Sequence, residues 1–102
     1  DNAWCSGIVM GKELPNWEKL NLDIIRSQLL WNDEIPQDAM IKDANPLGSL
    51  SWVSNLLTSL GRTIPKDSVI ITGSVIKTRA PNKGDHIIYK VEDLSEVEIK
   101  II

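Results

Sequence analysis

The chain has 102 residues, 42% of them hydrophobic and 25% charged, with a net charge of -3 and a pI near 5.0. That is the make-up of one soluble domain, residues 1–102, with room for a single core, and an acidic chain without a Lys/Arg cluster argues against nucleic acid or an anionic membrane as partner. The single cysteine rules out an internal disulfide, the single histidine rules out a Cys/His zinc site, and no apolar run reaches membrane-spanning length, so the cytoplasm is the simplest compartment.

The chain opens on Asp1 rather than Met, as a processed chain or a fragment does. Asp1-Asn2-Ala3 and Trp4-Cys5-Ser6-Gly7 read as a loop feeding a short strand, Ile8-Val9-Met10, closed by Gly11. Residues 12–21, with Pro15, Asn16 and Trp17 among charges, read as a surface connection. From Leu20 to Trp31 apolar residues alternate on one parity and then the other, which predicts a strand with a break in register near Arg26 to Gln28. Asn32-Asp33-Glu34 predicts a turn and Ile35 to Lys42 an antiparallel return.

Asn45 followed by Pro46 predicts a helix start, with the asparagine side chain as N-cap and the proline giving up an N–H that has no use there. Leu50, Val53, Leu57 and Leu60 recur at three- and four-residue steps as the buried face, flanked by Leu47 and Leu56. Gly61 predicts a left-handed stop, and Arg62 stands at the carbonyl end of the helix dipole. Pro65-Lys66-Asp67-Ser68 predicts a turn, and Val69-Ile70-Ile71 a strand covered on both faces that delivers Thr72-Gly73-Ser74 to its far end. Two hydroxyls around a glycine can make a ligand edge, because glycine admits close approach to the backbone and hydroxyls donate or accept; a turn with satisfied hydroxyls is the plainer reading.

Val75 to Thr78 predicts a short strand, Ala80 to Asp85 a turn, and His86 to Val91 and Glu96 to Ile102 two more strands separated by Glu92 to Ser95. In the last of these Val97, Ile99 and Ile101 point inward and Glu96, Glu98 and Lys100 face water. The result is an α+β chain, one main helix in a mixed β-rich roll of six or seven strands. Isolated candidates for chemistry are weak. His86 reads as a strand-start surface histidine, Cys5 as a small apolar residue, and the pairs Asp33-Glu34 and Glu92-Asp93 as solvated turn charges, with no obvious set of three metal ligands.

Asp1-Asn2-Ala3 before an apolar stretch and Gly11, Asn45-Pro46-Leu47 opening a helix with Ser51-Trp52-Val53-Ser54-Asn55-Leu56-Leu57, Ile70-Ile71-Thr72-Gly73-Ser74, and Lys83-Gly84-Asp85 occur in one order across nearly the whole chain. Together they resemble the C-terminal portion of the 2-keto-4-pentenoate hydratase group, with its relatives the 2-oxohept-4-ene-dioate hydratases and 4-oxalocrotonate decarboxylases, in the fumarylacetoacetate hydrolase superfamily. The resemblance implies a lyase that hydrates a 2-hydroxydienoate or decarboxylates a 2-oxo acid on Mg²⁺ or Mn²⁺, in the meta-cleavage catabolism of aromatic compounds. A divalent metal suits such chemistry because it polarises the 2-oxo acid and stabilises an enolate.

The same resemblance places the metal-binding carboxylates and the catalytic Lys/Asp pair before the equivalent of Asp1. This chain would then hold no metal by itself, supply no catalytic residue, and need an N-terminal part or second chain, within a homo-oligomer. It implies substrate contact at Asn2, Thr72, Gly73 and Ser74. The chain departs from the family in carrying Trp4 and Cys5 where many members have two serines, and Val75-Ile76 where a threonine is common. Two other classes of function remain open: a ligand-binding or interaction domain without chemistry, and a structural domain whose apolar surfaces serve assembly.

Overall fold

The structure, a computed structural model, describes residues 6–102. Four strands form one antiparallel sheet: β1 (Arg26–Trp31), β2 (Gln37–Met40), β3 (His86–Val91) and β4 (Ser95–Lys100), in the spatial order β2-β1-β3-β4. One helix, α1 (Pro46–Ser59), follows β2 after a 3-10 turn at Ile41–Ala44. The fold is α+β.

Two hairpins make up the sheet. In the first, Asn32 takes a left-handed φ of 50° and the Glu34 amide bonds back to the Trp31 carbonyl at 3.0 Å, so β2 returns with Ser27 opposite Ala39. In the second, Glu92 at φ 44° and a 3.0 Å bond from the Leu94 amide to the Val91 carbonyl turn β3 into β4. The hairpins join along β1 and β3, where Trp31 lies opposite Ile87 and Leu29 opposite Tyr89. Strand parity puts Trp31, Leu29, Ile87, Tyr89, Val97 and Ile99 on one face, while Gln28, Lys90, Glu96 and Glu98 share the other. The buried apolar side chains are Ile25, Trp31 and Ile87, with Ser27 buried beside them and its hydroxyl 3.4 Å from the Ala39 carbonyl.

The helix begins and ends where its punctuation says, by different means at the two ends. Asn45 stands at the N-cap but makes no capping side-chain bond. It also terminates the preceding 3-10 turn, its amide bonding the Lys42 carbonyl at 2.8 Å, and this double duty holds it at φ 43°. Asparagine tolerates that left-handed position, which places its side chain against Gly48, in the space that a Cβ there would need. At the other end Gly61, at φ 69°, allows its own amide to reach the Thr58 carbonyl at 3.0 Å and the Arg62 amide to reach the Leu57 carbonyl at 2.8 Å. That crossed pair satisfies carbonyls that a helix end leaves open.

Burial along α1 is slighter than its periodicity implies. Leu50, Val53 and Leu57 are half-buried, Leu60, Leu47, Leu56 and Trp52 are exposed, and the element that α1 packs against most is the Ile41–Ala44 turn.

Several expected strands do not form. Ile8-Val9-Met10 and Val69-Ile70-Ile71 are irregular and exposed, and Val75 to Thr78 is a bend followed by irregular chain. The strand near residue 20 starts only at Arg26, because Asn21 first turns the chain, its carbonyl accepting from the Ile24 amide at 3.2 Å and its side chain from the Asp23 amide at 3.1 Å. Four strands are therefore seen among the described residues, where the sequence predicts six or seven. β-branched composition favours extended backbone, but a strand also needs a partner to complete its ladder, and no strand pairs with residues 69–78.

Candidate functional site

Residues 71–76 and Thr78 form the wall of a cleft of about 890 Å³. Opposite lie Ile41 and Ala44 from the 3-10 turn, Pro46 from the first turn of α1, and Tyr89 from the centre of β3. The sequence folds this way because the left-handed stop at Gly61 and the turn at Pro65 to Ser68, with Asp67 at φ 62°, bring the chain back past the start of the helix.

Three of the four residues expected to touch substrate are in this wall: Thr72, Gly73 and Ser74. The fourth, Asn2, lies outside the described residues, as do Trp4 and Cys5. Gly73 adopts φ 118°, a conformation that strains any side chain, and nothing stands within 4 Å of where a Cβ would be, so the wall is open above its backbone. Thr72 is half-buried. Ser74 is committed locally: its hydroxyl donates to the Ile76 carbonyl and accepts from the Ile76 amide at 3.3 Å. One lone pair on that oxygen remains for a ligand, and donation to a ligand requires the turn to release Ile76.

A second constellation anchors the far end of the wall. Arg79 makes two parallel hydrogen bonds to Glu34, Nη1 to Oε2 at 2.7 Å and Nη2 to Oε1 at 2.9 Å, and its guanidinium stacks 4.0 Å from the centre of the Trp31 ring. Glu34 is thus a paired carboxylate, not the freely solvated turn charge that the sequence predicts. The hydrogen bonds from Arg79 hold its pKa below the usual carboxylate value and raise that of the guanidinium. The Trp31 indole N–H is buried without a hydrogen-bond partner, though its approach to Asp85 adds to the stabilisation of that carboxylate.

Asp85 closes the Lys83-Gly84-Asp85 turn. It accepts from the Asn82 amide and from the Asn32 side chain, each at 2.8 Å, and these two bonds are the main cause of its lowered pKa. A carboxylate held ionised by turn donors orders backbone rather than accepting a substrate proton. Asn32 extends the link, its side-chain oxygen accepting from the His86 amide at 2.8 Å. His86 stands at the start of β3, as predicted, with Nε2 2.6 Å from Glu98 Oε1. Glu92, read as a solvated turn charge, instead accepts from the Arg26 amide at 2.9 Å and so fixes the beginning of β1.

Among the described residues no group of three His, Cys, Asp or Glu side chains is placed to hold a metal ion. The described residues that line the cleft supply hydroxyls but no carboxylate or imidazole. No helix among these residues is long and apolar enough to cross a membrane.

No family model and no solved structure matches the chain. It is similar to a 4-oxalocrotonate decarboxylase of Pseudomonas putida, with 27% identity over 105 residues, covering 100% of this chain and 39% of that protein. The chain thus spans well under half the length of its relative, to which it has a loose link.

Proposed function

We propose that this chain is the substrate-holding C-terminal portion of a cytoplasmic enzyme related to the 4-oxalocrotonate decarboxylases and 2-keto-4-pentenoate hydratases, a lyase for 2-oxo acids or 2-hydroxydienoates in the breakdown of aromatic compounds. The observation that carries this reading is the opening of Thr72-Gly73-Ser74 into the cleft beside Tyr89. The similarity of the whole chain to a decarboxylase supports it.

In this reading the chain binds and orients. The Thr72 hydroxyl and the uncovered backbone at Gly73 meet the oxygens of the acid, while Ile41, Pro46 and Val75 exclude water from its carbon chain. None of Thr72, Gly73 and Ser74 titrates near neutrality, so proton transfer belongs to other groups. The carboxylates that would hold the divalent ion implied by the resemblance are not among the described residues of the cleft.

Exposed Trp52, Leu60, Val69 and Ile71 fit a role for the rest of a longer polypeptide, or a second copy, in covering this surface. Titration of the isotope-labelled chain with 2-oxopentanoate tests the reading. Amide shifts at residues 72–74 and at Tyr89 are expected; shifts elsewhere only, or none, overturn it. With Mg²⁺ or Mn²⁺ the chain alone is expected to leave 2-hydroxypenta-2,4-dienoate unconsumed.

A further inference from the structure

Four residues with side-chain hydroxyls line the cleft: Thr72, Ser74, Thr78 and Tyr89. Ser74 is engaged with Ile76, whereas the hydroxyls of the other three have no hydrogen-bond partner among the described residues. Thr72 and Thr78 belong to the irregular wall, and Tyr89 alone of the four comes from the sheet. It stands opposite Leu29 of β1 and Val97 of β4, so strands on both sides fix its backbone. The residue is half-buried, yet its hydroxyl oxygen is open to solvent. A phenol is a stronger acid than an aliphatic alcohol and hence the stronger hydrogen-bond donor. Tyr89 therefore holds a single strong donor on a rigid element, across the cleft from the wall where Thr72 and the uncovered backbone of Gly73 lie.

From this we infer that Tyr89 recognises the 2-oxo group of the bound acid, its hydroxyl donating a hydrogen bond to the 2-oxo oxygen while the carboxylate lies against Thr72 and Gly73. The inference rests on the proposed function and adds a residue to it. A carboxylate has two oxygens to satisfy, which suits the wall, whereas a ketone oxygen is met by one donor, which suits the phenol. The same bond strengthens as negative charge gathers on that oxygen in an enolate, so the contact that selects the ligand also favours its reaction, without Tyr89 giving up its proton.

2-Oxopentanoate and pentanoate differ only in the 2-oxo group, and each is titrated into the isotope-labelled chain and into Tyr89→Phe, which keeps the ring between Leu29 and Val97 and removes only the hydroxyl. The substitution is expected to weaken binding of 2-oxopentanoate about three- to tenfold, the worth of one hydrogen bond, and to leave pentanoate unchanged. Equal weakening of both acids would assign the hydroxyl to the carboxylate and overturn the inference, as would no weakening of either. Tyr89 is the one tyrosine of the chain, so its Cζ resonance is a single signal. In the unmodified chain that signal is expected to move with 2-oxopentanoate and to stay in place with pentanoate. A Cζ signal that stays still, or moves equally with both acids, overturns the inference without recourse to the variant. In each of these cases amide shifts at residues 72–74 leave the proposed function standing; their absence with 2-oxopentanoate removes it, and the role of Tyr89 with it.

Discussion

Arg79 and Glu34, 45 positions apart in the chain, meet through two parallel hydrogen bonds. The pair ties the end of the irregular segment that carries Thr72, Gly73 and Ser74 to the turn between β1 and β2. It is solvent-facing, so its value lies in geometry, and a paired fork fixes direction in a way that a point charge does not.

Arg79→Ala is expected to lower the backbone order parameters of residues 69–79 and to leave those of β3 and β4 unchanged. Arg79→Lys should restore little of the order, because an ammonium cannot reproduce the two-point contact or the stacking on Trp31. A uniform fall across the sheet would show that the pair supports the whole fold and not this segment.

Acid should weaken the chain in a way that traces to Glu34 and Asp85, whose pKa values are lowered in the fold. A carboxylate lowered on folding stabilises the structure above its unfolded value, and that contribution is lost as pH falls through the folded value. The raised Arg79 is charged throughout this window, so its side of the pair does not set the acid limb. Urea midpoints from neutrality down to about pH 3 are expected to decline, and Asp85→Asn to start lower and decline less. Parallel declines for the two proteins would remove Asp85 from the account.

Gly61→Ala should cost about 1–2 kcal/mol through the left-handed backbone alone, since a methyl group there meets nothing within 4 Å. The denaturation midpoint measures this, and an unchanged midpoint would remove the left-handed stop from the account.

Ile87→Ala, which empties part of the buried cluster with Trp31 and Ile25, is expected to cost about 2–5 kcal/mol. Leu57→Ala should cost clearly less, because Leu57 is half-buried and its neighbours can settle into the space. The opposite ranking in urea denaturation would place the main core under the helix.

At the cleft, Thr72→Val is expected to weaken binding of 2-oxopentanoate by roughly 0.5–1.5 kcal/mol, the worth of one hydrogen bond. Ser74→Ala should weaken it less, because the serine hydroxyl already donates to the Ile76 carbonyl. A larger loss from Ser74→Ala would show that the turn opens on binding and lends its donor to the ligand.

What the sequence made legible was local. Pro46 and Gly61 bracket α1 because helix ends are decided within a few residues, and Val97 and Ile99 alternate with Glu96 and Glu98 because one side of β4 faces water. Asn45 was legible as a boundary but not in its conformation, which depends on the 3-10 turn arriving before it. Val69 to Ile71 carries the composition of a strand without a partner, and composition does not report partners. The Thr72-Gly73-Ser74 wall was visible as a motif, whereas its Tyr89 and Ile41 side and the Arg79 anchor come from distant parts of the chain and leave no periodic trace.

The sheet is two short-range hairpins sewn together by a long-range seam, since Asn32 and His86, which exchange hydrogen bonds at the join, stand 54 positions apart. Each hairpin can close quickly by itself, but the seam must first gather the intervening loop, and that loop contains α1 and residues 71–76 and Thr78 of the cleft wall. The cleft wall is therefore expected to order with the closing of that seam. Changes in the length of its connections should alter the rate at which the sheet zips far more than its final stability, because loop closure grows only logarithmically in cost.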